Sequence, residues 1–141
     1  MTGASAVGRP DPHSGEVPIA YVTLAPGAPE TSTRPDSLIA YARSHIQEGA
    51  AVPKDVIVLD SLPVTAVGKP TKVPLRIRTL KQTVLDELDA LGLPTNPQRV
   101  DCHLDGARLT VTLPRPATAA DERRVTDALG RYTFAWSFTD V

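Results

Sequence analysis

The sequence predicts an α+β fold made of two small sheets with flanking helices. Three observations carry that prediction. Two β-rich apolar runs, Val17–Leu24 and Val56–Leu59, enclose a stretch whose apolar residues recur at helical spacing. Residues 100–113 alternate polar and apolar around an Asp105-Gly106 turn, the pattern of a β-hairpin. A further helical pattern and an aromatic strand pattern then close the chain. With 141 residues and 41% hydrophobic content, the chain is long enough for one domain, or for a small domain with an appendage.

Each element has its own local reason. Val17–Leu24 is bounded by Gly15 and by Pro26-Gly27, which makes it a buried strand. Thr33-Arg34-Pro35-Asp36 combines a cap, an early proline and a first-turn acid, so a helix starts there. Leu38, Ile39, Ala42 and Ile46 form its apolar face, and it ends near Gly49. Pro53 breaks the chain before the strand Val56–Leu59. Leu80, Val84, Leu85, Leu88 and Leu91 then mark a helix stopped by Gly92 and Pro94. Val100, Cys102 and Leu104 alternate with polar residues before the turn, and Leu109, Val111 and Leu113 alternate again after it. Thr118 with Asp121 and Glu122 starts a helix carrying Val125, Ala128 and Leu129, closed by Gly130. Tyr132, Phe134, Trp136 and Phe138 alternate in a final strand, and one aromatic face of that kind is a packing face. The order is β-α-β, a lysine-bearing loop, then α-β-β-α-β.

Charge is uneven along this chain of net charge −1. Residues 1–60 and 82–141 are each net acidic. Between them Lys69, Lys72, Arg76, Arg78 and Lys81 stand without a single acid. The bland reading of such a run is a solvated face. The near-zero total gives no global field for nucleic acid or an anionic membrane. Cys102 is the one cysteine, so no internal disulfide is available. Met1–Val7 lacks a basic, apolar leader, and no run approaches the ~20 apolar residues that span a bilayer. A cytoplasmic protein is the expectation. His13, His45 and His103 have no metal-ligand spacing, and Cys102 and His103 point to opposite faces of a strand; no metal site is expected.

Among these features, Leu62-Pro63-Val64-Thr65-Ala66-Val67-Gly68-Lys69, followed by Lys72 and Leu75-Arg76, is the most informative. It places one lysine at a glycine turn with a basic exit. A nucleotide P-loop is rejected, because that pattern needs glycine at Pro63 and Ser or Thr at Pro70. Upstream stand Val7-Gly8-Arg9-Pro10-Asp11, Gly15-Glu16-Val17-Pro18-Ile19-Ala20-Tyr21-Val22 and Pro53-Lys54. Together, over about residues 4–80, these segments resemble the C-terminal lid domain of the adenylate-forming superfamily, closest to acyl-CoA synthetases and AMP-dependent ligases of the fatty-acyl or feruloyl type.

The resemblance implies a division into residues 1–78, the lid, and 79–141, an αββαβ extension. It implies that Lys69 is the catalytic lysine of adenylation, with Pro63, Thr65 and Gly68 framing the loop. Lys72 and Arg76 either touch phosphates of CoA or only solvate the loop. Glu16 belongs to a turn before a strand. ATP and CoA, with Mg, would act only in the complete enzyme, whose N-terminal ATP-binding domain would be a partner in cis or in trans; none is expected bound by this chain alone. In that family the lid swings between an orientation for adenylation and one for thioester formation, and acylation of the loop lysine is a control. Pro70 departs from the aliphatic residue usual at its position, and proline fixes φ and removes an N–H. Ala4–Val7 reads as the remnant of the lid's first strand. The chain is therefore expected to be inactive alone. Other readings are a non-catalytic interaction module that binds a partner through residues 98–141, and a truncated gene fragment.

Overall fold

The computed structural model describes residues 3–24, 39–40, 52–69, 71–106 and 108–139, and the first of these form a β-hairpin. Strands β1 (Gly3–Asp11) and β2 (Gly15–Thr23) are neighbours joined by residues 12–14, so they run antiparallel. Asp11 builds the turn by accepting from the Ser14 and His13 N–H groups at 2.8 and 3.1 Å. The Ser14 N–H bond holds the Asp11 carboxyl below its ordinary value. Gly15 then takes φ 80°, a conformation that side chains with a Cβ resist. The strand expected at Ala4–Val7 is present and longer, running from Gly3 through Gly8 and Pro10 to Asp11.

Strand β3 (Val56–Val58) lies parallel to β2, with Ala20 opposite Val56 and Val22 opposite Val58. It is one residue shorter than the apolar run. A parallel pair requires a crossover, which residues 24–55 span. The helix expected from Thr33 to Gly49 falls outside the described residues, apart from Ile39–Ala40, which are helical. Val7, Ile19, Tyr21 and Leu75 form the core of this sheet, flanked by Ile57, Leu59 and Leu62.

By its internal contacts the chain divides into two compact units, residues 1–9 with 16–76 and residues 10–15 with 77–141. In the second unit, helix α1 (Val73–Ala90) supplies Leu80, Val84 and Leu88, spaced i, i+4, i+8 along one face. The helix starts seven residues before the first apolar position assigned to it. Pro74 sits in its first turn, where a missing N–H costs nothing. Thr83 is buried and donates its hydroxyl to the Thr79 carbonyl at 2.9 Å. Gly92, at φ 74°, ends the helical path where the sequence places the stop.

After a 3₁₀ turn (Pro97–Arg99), β4 (Asp101–Asp105) and β5 (Arg108–Pro114) pair antiparallel from Asp101–Thr112 to Asp105–Arg108. Gly106, at φ 66°, makes the tight turn. Helix α2 (Ala119–Leu129) begins at Thr118, whose hydroxyl accepts from the Asp121 N–H at 3.1 Å. Strand β6 (Ala135–Thr139) returns parallel to β5, completing the order β4-β5-β6. It is shorter than the aromatic alternation predicts: Tyr132 and Phe134 precede it. Trp136 and Phe138 register with the buried Val111 and Leu113, so they share the core face, half-buried. Ahead of β6, Glu87 on α1 accepts from Arg131 at 3.0 Å and from the Tyr132 hydroxyl at 2.5 Å.

Burial pushes the Cys102 thiol from 9.0 up to about 11. Burial, then the Glu87 bond, pushes Tyr132 from 10.0 up to about 12. Both groups hold their protons longer folded than unfolded. Their contribution is therefore complete below about pH 9 and is lost as pH rises through 9 to 12. Urea midpoints should fall across that window and stay level from pH 7 to 8.5. A midpoint that rises above pH 9 would contradict these assignments.

Candidate functional site

The segment from Pro63 to Thr71 is a narrow hairpin loop closed by backbone bonds. The Thr71 N–H donates to the Pro63 carbonyl at 3.2 Å, and the Thr65 N–H donates to the Lys69 carbonyl at 2.7 Å. Inside that pair, the Gly68 N–H donates to the Thr65 carbonyl at 2.9 Å. Gly68 lies at φ 82°, so Ala66-Val67-Gly68 is a three-residue loop ending in a left-handed glycine. Lys69 follows immediately, and its own N–H donates to Thr65 Oγ1 at 3.2 Å. The structure thus joins Pro63, Thr65, Gly68 and Lys69 in one hydrogen-bonded unit. Pro70, which the sequence marks as the unusual residue, lies outside the described residues.

This loop fixes the Lys69 backbone and leaves its side chain exposed. Among the described residues, no ion pair or hydrogen bond engages the ammonium. Lysine suits such a post, being a point charge on a long stem with three rotatable donors. Val64 and Val67 are also exposed at the loop, at 58% and 79%.

Lys72 and Arg76 flank the start of α1, one turn apart and both exposed. No acid stands in the first turn of that helix. Cations at the positive end of a helix dipole are unfavourable for the helix and favourable for a nearby anion. Of the other residues weighed from the sequence, Glu16 is an exposed residue of β2 across from Gly8. His103 meets Asp101 at 2.7 Å on the exposed side of β4, while Cys102 points into the core. Among the described residues, no three His, Cys, Asp or Glu side chains converge as metal ligands, and no helix is long and apolar enough to cross a membrane. His45 lies outside the described residues.

Gly68→Val should strain the loop by about 1–2 kcal/mol, because a β-branched residue resists positive φ. Faster amide exchange at Thr65 and Lys69 in this variant is the expected result. Unchanged exchange would show that the glycine conformation does not hold the loop.

Residues 2–69 match the family described as the AMP-binding enzyme C-terminal domain. That segment belongs to this family. The match ends at Lys69 itself. Marinolic acid–CoA ligase of Pseudoalteromonas sp. is 41% identical to this chain over 93 residues, 61% of the chain and 14% of the ligase. Acetyl-coenzyme A synthetase of Deinococcus radiodurans is 38% identical over 101 residues, 71% of the chain and 15% of the synthetase. Among solved structures, the amide bond synthetase McbA from Marinactinospora thermotolerans is 43% identical, with TM-score 0.47, over 53% of this chain and 15% of that one. The chain therefore spans about one seventh of the length of the curated relatives named here. In those acid–CoA ligases the matched part is the C-terminal portion.

Proposed function

We propose that the chain serves as the C-terminal lid of an AMP-forming acid–CoA ligase acting on a fatty or aromatic acid, with residues 1–78 as the lid and 79–141 as its extension. In this reading Lys69 is delivered to an ATP-binding domain, in the same polypeptide or another, while acyl-adenylate forms. The observation that carries it is the pinned loop, which fixes the Lys69 backbone and leaves its ammonium without an ion pair or hydrogen bond among the described residues. Attack of a carboxylate on the α-phosphorus displaces pyrophosphate and gathers negative charge on the phosphate oxygens. A preorganised ammonium stabilises that charge in the transition state more than in the ground state.

Lys72 and Arg76 fit a supporting role, holding positive potential around the loop for a phosphate-bearing substrate. Thr65 and Gly68 act as positioning residues, since they set the backbone that presents Lys69. Most of the nucleotide and acid contacts belong to the larger domain, so a chain acting as the lid has no turnover of its own. Purified chain is expected to show no acid-dependent exchange of pyrophosphate into ATP with fatty or aromatic acids. Exchange in a clean preparation, abolished by a substitution within this chain, would overturn that assignment.

A further inference from the structure

A cleft of about 300 Å³ opens in the second unit, where the segment after α1 faces the connection from β5 to α2. Its floor is Leu88 and Val125, both buried. Pro94, Pro114 and Pro116 stand along its walls. Proline rings present apolar surface without an N–H and hold the backbone stiff, so the walls need little ordering when a ligand enters. At one end Arg99 and Arg115 line both this cleft and a smaller depression of about 180 Å³ that reaches Thr139. The volume and the mixture of an apolar floor with a few polar groups are those of a small-molecule site.

Charge selects among ligands. Arg115 is paired with Glu122 and lies 5.1 Å over the Phe138 ring, which fixes it in place. Asp121 lines the cleft but is held by Arg124 at 3.0 Å. Arg99 is exposed, and among the described residues its guanidinium has no carboxylate partner. Among the described lining residues, Arg99 therefore carries an uncompensated positive charge. Asp121 is also among the lining residues, so a ligand with a second negative charge meets a carboxylate in the cleft and a monoanion does not.

We propose that this cleft binds a small organic monocarboxylate, with its apolar body over Leu88 and Val125 and its carboxylate on the Arg99 guanidinium. Guanidinium and carboxylate match in plane and spacing, which favours this pair over a lysine contact. The site is separate from the Lys69 loop in sequence and in chemistry.

Titration of the full chain with benzoate and hexanoate, followed by amide chemical shifts and calorimetry, tests the proposal. Saturable binding, with shifts at Thr95, Arg99 and Val125, is the expected result. Arg99→Gln should weaken it about tenfold or more, the loss typical of one charge-assisted contact. Ala117→Trp, at an exposed position on the cleft wall, should abolish binding with the circular dichroism unchanged. Lys69→Ala should leave it unaltered. Equal binding of benzamide would show apolar adsorption without carboxylate recognition and would overturn the proposal. So would inorganic phosphate binding where benzoate fails, non-saturating shifts, or an Arg99→Gln variant with unchanged affinity.

Discussion

Replacing Lys69 by alanine is expected to lower acyl-adenylate formation about a hundred- to a thousand-fold when the domain works with an ATP-binding body. The side chain is exposed and makes no hydrogen bond or ion pair among the described residues, so the substitution should leave folding unchanged. Its effect should fall on one half-reaction. Thioester formation from preformed acyl-adenylate and CoA should continue, because the proposed charge acts only while pyrophosphate leaves. Lys69→Arg should recover part of the rate, as a guanidinium keeps the charge but not the compact ammonium. Stopped-time assays of the two half-reactions separate these outcomes. Equal loss in both would make Lys69 a docking residue and not a charge-stabilising one.

The second large effect concerns stability. Leu129→Ala should cost about 2–5 kcal/mol, since the side chain is buried among Val125, Leu88 and the β5 residues Val111 and Leu113. Leu104→Ala, at a position 45% exposed, is the matched control and should stay within about 0.5 kcal/mol. Urea denaturation of both variants checks the contrast. A Leu129→Ala cost as small as that of Leu104→Ala would mean that this core is loosely packed.

The parts of the fold legible in the sequence are those specified by short-range chemistry. Asp105-Gly106 within alternating apolar residues marks a tight turn, and the strand register follows. Thr118 and the acids after it mark a helix start through one side-chain bond. Less legible are the segments where tertiary pairing overrides local preference. Strand β1 runs through Gly8 and Pro10, residues that read as loop, because β2 supplies its partner. Helix α1 begins among Val73, Pro74 and Leu75, whose pattern has no helical period. Conversely, Tyr132 and Phe134 continue the aromatic alternation yet precede β6, where Arg131 and Tyr132 engage Glu87 instead.

The candidate site divides the same way. Gly68 before Lys69 is visible as a turn with a cation, and the upstream motifs relate it to a family. The bonds between Thr65 and its partners Gly68 and Lys69 are not visible, since they depend on a three-residue closure that composition does not encode. The cleft around Arg99 was also beyond reach. Its lining comes from four separate segments that only the folded sheet and helices bring together.

The most direct measurement is reconstitution. A ligase body of an acyl-CoA synthetase, deprived of its own C-terminal domain, is mixed with this chain and assayed for acid-dependent exchange of pyrophosphate into ATP. The account predicts exchange that rises with chain concentration and saturates, and that disappears with Lys69→Ala. Rescue by the alanine variant equal to that of the natural chain would contradict the role given to Lys69.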